Sequence, residues 1–200
     1  MADRAVEWSW IVANMPSGPG KALDFGCGNS NLALIAARKG FKTTAIDLTP
    51  VNFLYVHPDL EYIHTDIFKA GFLPHTFDLI VSGSSIEHVG LVGRYNVKES
   101  RPNGDIEAMS ELRKLLKPDG EILLTIPVGY DAVFPPLHRV YGQERLPRLI
   151  LGCTIEKEEF WTKNDSNQWI MTEKSIALSL RPGRDFYGLG CFVLRAGEND

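Results

Sequence analysis

Several groups of residues in this chain have the types and spacing to do chemistry. Gly26 and Gly28 stand one residue apart, between an apolar run at 22–25 and a helix-forming run at 32–38. Glycines sit where backbone takes unusual φ values or approaches a ligand closely. A helix starting just after them offers free N–H groups. This is a nucleotide-type turn. A dinucleotide fingerprint would carry a third glycine, which Gly26-Cys27-Gly28-Asn29-Ser30-Asn31 lacks. Asp24 lies two residues before Gly26 instead. A carboxylate there repels a pyrophosphate and suits an ammonium group. Asp47 ends the next expected strand, 42–46, where it can accept from two ribose hydroxyls. Asp66 ends the one after, where it can accept from an exocyclic amine such as adenine N6. Cation, ribose and adenine together describe S-adenosylmethionine. Further along, Glu87-His88 offers a carboxyl and a base that titrates near neutrality. Arg94-Tyr95 and His138-Arg139-Val140-Tyr141 combine arginine forks with aromatic rings, and an arginine fork can hold a carboxylate or phosphate bidentately.

Each of these residues also has a plainer role open to it. Asp24 can cap the turn after it through backbone bonds, and Asp66 can cap its own turn. Arg94 and Arg139 can be surface arginines beside packed tyrosines. Cys27 reads as a small filler.

The elements that must position these groups alternate. Residues 4–15 read as a helix ended by Pro16 and Pro19. Strands are expected at 21–25, 42–46, 60–64 and 77–82, the last continuous and apolar like a buried parallel strand. Residues 84–93 read as a short helix or loop. Asn103 can cap a helix running to Lys117, whose Ile106, Met109, Leu112, Leu115 and Leu116 share a face. Pro118-Asp119-Gly120 then turns into a fifth strand at 121–127. Beyond it the pattern weakens. A short helix near 144–151, a strand at 153–163, a mixed stretch at 168–180 and a last strand at 187–195 are expected. Alternating strands and helices give an open α/β sheet with helices on both faces. Such sheets bind ligands at the carboxyl ends of their strands, where the glycine turn and the three aspartates fall.

Composition narrows the function. Two hundred residues with 44% apolar and 23% charged content suit one globular domain. A net charge of −4 argues against a surface that coats nucleic acid. Three well-separated cysteines, Cys27, Cys153 and Cys191, form neither a disulfide framework nor a zinc cluster and suit the cytoplasm. No apolar run reaches membrane-spanning length.

The stretch Asp24-Phe25-Gly26-Cys27-Gly28-Asn29-Ser30-Asn31-Leu32, then Asp47, then His64-Thr65-Asp66, then 77–90 (FDLIVSGSSIEHVG) and 112–129 (LRKLLKPDGEILLTIPVG), in this order and spacing, resembles class I S-adenosylmethionine-dependent methyltransferases. The resemblance covers roughly residues 20 to 128 and departs at Ser30, where many members have glycine. It implies a Rossmann-like αβα sandwich with a seven-stranded sheet ordered 3-2-1-4-5-7-6, strand seven antiparallel. It implies one domain over residues 1–200, with an N-terminal helix and linker at 1–19 and a substrate-side elaboration at 128–186. The implied cofactor residues are Asp24 near the amino group, Gly26 and Gly28 at the turn, Asp47 at the ribose, and Asp66 with the Ile67 backbone at the adenine. Ser82 and Gly83 face the methyl end, and Asn31 and Leu48 complete the set.

Methyl transfer from a sulfonium is an in-line displacement with an activated leaving group. The protein orients the nucleophile and takes its proton. His88 and Glu87 are the candidates for that work, and Arg94, Tyr95, His138, Arg139 and Tyr141 for contacting the acceptor. No metal is expected, because a metal-binding version of this stretch would carry a further carboxylate where Ser84 stands. The expected activity is transfer to oxygen or nitrogen of a small molecule, by a monomer or homodimer with no membrane or nucleic-acid partner. The rival readings are a non-catalytic S-adenosylmethionine-binding regulator and an NAD-dependent dehydrogenase or epimerase. The latter needs a Tyr-x-x-x-Lys pair that the chain lacks.

Overall fold

In the computed structural model, which describes residues 3–95 and 97–197, the first half of the chain follows the expected alternation closely. It runs α1 (Asp3–Asn14), β1 (Gly20–Phe25), α2 (Leu32–Arg38), β2 (Phe41–Asp47), β3 (Leu60–His64) and β4 (Phe77–Gly83). Single 3-10 turns at Ile67–Lys69 and Ile86–His88 follow β3 and β4. Then come α3 (Gly104–Leu115), β5 (Leu116–Val128), β6 (Ala132–Phe134), β7 (His138–Val140), α4 (Arg145–Leu149), β8 (Cys153–Lys163), β9 (Trp169–Thr172), α5 (Lys174–Leu178) and β10 (Gly188–Ala196).

The main sheet has the order β3-β2-β1-β4-β5-β10-β8-β9. The first five strands pair in parallel. β10 runs antiparallel between β5 and β8. The strand order implied by the resemblance is therefore present, with β10 as the seventh strand and β8 as the sixth. The difference is an eighth strand, β9, hydrogen-bonded to β8 at the edge. The turn before it explains why. The Asn164 side-chain oxygen accepts from the Ser166 and Gln168 amides at 3.0 and 2.9 Å, and Asn167 takes φ of 58°. That local bonding folds the chain back as a hairpin.

Two further expectations need correction. β5 begins at Leu116 rather than after Gly120. Leu116 pairs with Phe77, and a register shift before Leu79 absorbs Pro118 and Asp119, as proline requires inside a ladder. Lys117 Nζ meets the Asp78 carboxylate at 2.8 Å across that bulge. Asn103 occupies the N-cap position of α3 but makes no side-chain cap bond.

Side-chain alternation along β4 builds both layers. Leu79 and Val81 pack with Trp10, Ile11 and Leu32 from α1 and α2. Ile80 packs with Met109 and Leu112 of α3 and with Ile122 and Phe192 on the other face. The strands' carboxyl ends are thus held rigidly between two helical layers.

Candidate functional site

A cavity of about 740 Å3 opens at the carboxyl ends of β1, β2, β3 and β4, within the size range of small-molecule sites. The glycine turn forms its floor. Gly26 takes φ of 68° and Gly28 of 48°, values that side chains rarely tolerate. At Gly26 the packing agrees, since an added Cβ would come within 2.6 Å of the Ser85 side chain. Ser85 Oγ donates to the Gly26 carbonyl at 2.9 Å, tying the loop after β4 to the turn after β1. At Gly28 an added Cβ meets nothing within 4 Å, so the backbone faces open cavity.

The three aspartates line this cavity together. Asp24 is buried and accepts from the Ala33 amide at 3.1 Å and Ser30 Oγ at 3.4 Å. The plainer capping role is therefore real. No cation pairs with it among the described residues, and burial pushes its carboxyl up to about 7 despite those bonds. Asp47 spans the turn, with Oδ2 accepting from the Gly28 amide at 3.0 Å and Oδ1 from the Thr49 amide and hydroxyl at 2.8 Å each. Asp66 Oδ1 accepts from the Phe68 amide at 3.1 Å and caps the turn that brings Ile67 and Phe68 to the wall. Leu48 and Gly83 also line the cavity, whereas Asn31 and Ser82 do not. Ser82 lies inside β4 with no exposed surface, so its hydroxyl cannot face the methyl end as expected.

His88, Arg94 and Tyr95 line the same cavity. His88 Nδ1 lies 2.5 Å from the Leu137 carbonyl. A carbonyl only accepts, so Nδ1 carries the proton and Nε2 keeps its lone pair. Burial and then the Arg94 charge hold the imidazole down to about 4, leaving it neutral at ordinary pH. The Tyr95 ring centroid is 5.5 Å from the imidazole.

Glu87 is placed differently from the expectation. It is buried beside the Nε2 edge of His88, with Oε1 3.7 Å from that nitrogen, and does not line the cavity. Burial holds its carboxyl well above the usual range, and Oε2 has no partner. His138 is also buried, edge-on to Tyr187 at 5.1 Å, and does not line the cavity.

Arg139 and Tyr141 are corrections of a stronger kind. Both are fully buried and neither reaches the cavity. Tyr141 Oη donates to Asp105 at 3.0 Å. Arg139 Nε lies 3.6 Å from Asp105, and its terminal nitrogens donate to the carbonyls of Glu87, Val89, Arg101 and Pro102. Arg145 Nη2 pairs with the same carboxylate at 2.5 Å. The motif is a buried bracket that pins the loop carrying His88.

Sequence reasoning missed the contribution of α1. Arg4, Glu7 and Trp8 line the cavity. Glu7 is buried, accepts from Ser84 Oγ and, at 3.3 Å, from Thr125 Oγ1, and burial raises its carboxyl pKa. The available signal was its spacing: Glu7, Trp10 and Ile11 fall at i, i+3 and i+4 on one buried stripe. Among the described residues, no group of three or more His, Cys, Asp or Glu side chains is disposed to hold a metal ion, and no helix is long and apolar enough to cross a membrane.

The chain resembles known proteins at three levels. The "Ubiquinone biosynthesis O-methyltransferase, mitochondrial" of Schizosaccharomyces pombe is 27% identical over 86% of this chain and 66% of its own length. The chain thus spans slightly less than two thirds of that relative. Among solved structures, the 1,6-didemethyltoxoflavin-N1-methyltransferase of Burkholderia thailandensis, with bound 1,6-didemethyltoxoflavin and S-adenosylhomocysteine, matches with a TM-score of 0.64. It is 13% identical and covers 98% of this chain and 79% of its own. A SAM-dependent methyltransferase structure from Methanosarcina mazei matches with a TM-score of 0.61. It is 15% identical over 94% of this chain and 98% of its own. The fold is that of class I S-adenosylmethionine-dependent methyltransferases. A family model described as "Caenorhabditis protein of unknown function, DUF268" matches residues 66–178, more than half of the chain, and the chain belongs to that family.

Proposed function

We propose that this member of the family transfers a methyl group from S-adenosylmethionine to an oxygen or nitrogen of a small molecule. The observation that carries the reading is geometric. Three carboxylates at the ends of successive parallel strands line one cavity with the glycine turn, and a neutral histidine lines the same cavity. The residues fit the cofactor. The buried Asp24 carboxyl lacks a cation, and the cofactor brings an ammonium. Asp47 retains acceptor capacity for ribose hydroxyls, and its charge excludes a 2′-phosphate. Asp66 and the Ile67 backbone suit adenine, with Leu48 beside them.

S-adenosylmethionine supplies a methyl group already activated by the positive sulfur. The protein holds the acceptor in line with that bond, as Gly83, His88 and Tyr95 are placed to do. The nucleophile's lone pair forms the new carbon–oxygen or carbon–nitrogen bond as the sulfur–carbon bond breaks. The nucleophile's proton passes to His88 Nε2 and then to water, and the cofactor would depart as a neutral thioether. The bond from Nδ1 to Leu137 fixes the tautomer that makes this transfer feasible. A small-molecule acceptor agrees with the cavity volume, with the ligand in the Burkholderia neighbour and with the ubiquinone-pathway name of the yeast relative. Cys27, Cys153 and Cys191 lie far apart in the sequence with no Cys-x-x-Cys pair, a usage that suits a reducing compartment such as the cytoplasm.

Asp47→Asn tests the cofactor reading. Losing a charged acceptor of this kind costs about 1.5–3 kcal/mol, so S-adenosylhomocysteine should bind about 10- to 100-fold more weakly by calorimetry. Unchanged affinity would remove Asp47 from the site. Asp24 gives a second expected result. A carboxyl with a pKa near 7 is about half protonated at pH 7, and a neighbouring ammonium lowers that pKa. Binding at pH 7 should release a fraction of a proton, seen when calorimetric enthalpies are compared across buffers of different ionisation heat. The release should vanish in Asp24→Asn.

A further inference from the structure

We infer that the methyl acceptor carries an anionic group, a carboxylate or phosphate, which the Arg94 guanidinium holds beside His88. The inference rests on the methyl-transfer reading and names the class of its substrate. Arg94 is half-buried on the cavity wall. Its Nη1 donates to the Leu137 carbonyl at 3.1 Å, the same oxygen that takes the His88 Nδ1 proton. Its guanidinium carbon sits 4.7 Å from the Tyr95 ring centroid. One carbonyl and one ring face hold the fork at the cavity wall, and its other nitrogens make no hydrogen bond among the described residues.

Arg4, on α1, also lines the cavity but is exposed to water, and the other arginines near this loop have anions of their own. Arg101 pairs with Glu107, and Arg139 and Arg145 share Asp105. No carboxylate among the described residues lies within ion-pair distance of Arg94. Glu87 and Glu7 are buried carboxyls that burial raises above the usual range, and neither forms an ion pair with Arg94. A cation partly stripped of water and left unpaired is costly. A planar anion meeting the fork bidentately offsets that cost and fixes orientation.

The position of this cation gives the anion a second effect. The charged and titratable groups facing His88 are Glu87 on its own turn, Arg94 and Tyr95 on the following loop, and His138 and Arg139 on β7. Arg94 is the foremost of the charges that hold the imidazole's basicity down. An anion seated on Arg94 cancels that charge, so the acceptor itself makes His88 a stronger base. Neutral analogues would bind without this activation.

The test uses the full chain, with and without S-adenosylhomocysteine, and follows the His88 ring proton by NMR, assigned with His88→Gln. Inorganic phosphate and trifluoroacetate are the probes, since both stay anionic throughout the titration, and trifluoroacetamide is the neutral control. Either anion should raise the His88 titration midpoint by about one pH unit, the scale of an opposite charge within a few ångströms. The stronger of the two responses tells phosphate from carboxylate. Arg94→Gln should lose the shift, Arg94→Lys should keep part of it, and the amide should give none. A midpoint unmoved by both anions, or moved equally in Arg94→Gln, overturns the inference. S-adenosylhomocysteine binding, read separately by calorimetry, shows whether the methyl-transfer reading stands or falls with it.

Discussion

Replacing His88 with alanine should lower kcat by about a hundred- to ten-thousand-fold, the range general-base catalysis provides, with S-adenosylhomocysteine affinity nearly unchanged. The assay is transfer of labelled methyl from S-adenosylmethionine to an acceptor pool in cell extract. Among the described residues His88 shares no hydrogen bond with the glycine turn or the three aspartates, which separates its effect on rate from any on cofactor binding. With the imidazole held near 4, the base is already free at pH 6. The wild-type rate should therefore hold from pH 8 down to about 6, and be lost only as pH falls toward 4, or toward about 5 if an anionic acceptor raises the midpoint. A rate that fell around 6.5 would place a different group at the proton transfer. Full activity in the alanine variant would leave His88 as a loop anchor.

Asp105→Ala should destabilise the protein by about 3–5 kcal/mol, the cost of removing one partner from a buried ion pair. Asp105 has no exposed surface and receives Tyr141 Oη, both Arg145 Nε and Nη2, and the Arg139 guanidinium. Without it, Arg139 is left deep in the protein with carbonyls alone. Urea unfolding measures the loss. The damage should spread to function, because Arg139 also holds the carbonyls of Glu87 and Val89 on either side of His88. A loss below about 1 kcal/mol, as at an exposed pair, would mean the bracket contributes little. Asp105→Asn keeps the shape but not the charge, and should fall between the two.

Parts of this architecture are plain in the sequence for a physical reason. Parallel strands buried on both faces carry runs of apolar residues, so β1 and β4 stand out. β2 holds threonines and β3 is a largely exposed edge strand, and both are set off by their flanking turns. The strand ends mark where Asp24, Asp47 and Asp66 must lie. The loop after β4 comes next in space, which is why His88, Arg94 and Tyr95 reach the same cavity. Residues 128–186 are harder. β6 and β7 have three residues each, and α4 and α5 five each, too short for any period to register. Arg139 and Tyr141 look like site residues because their partner is remote: Asp105 lies 36 residues before Tyr141, on another element. The role of Glu7 is hidden in the same way. Its helical spacing with Trp10 and Ile11 marks it as inward-facing, but its partners Ser84 and Thr125 are 77 and 118 residues distant, and nothing local shows that it lines a cavity. Chemistry carried by strand ends is legible in one sequence, while chemistry built by long-range burial is not.

The most direct test is calorimetry of the full chain with S-adenosylhomocysteine and, separately, NAD. A glycine turn framed by Asp24, Asp47 and Asp66 should bind S-adenosylhomocysteine at one site per chain and give no heat with NAD, whose pyrophosphate would meet the Asp24 carboxyl. Saturable binding of NAD, with none of S-adenosylhomocysteine, would contradict the account at its centre.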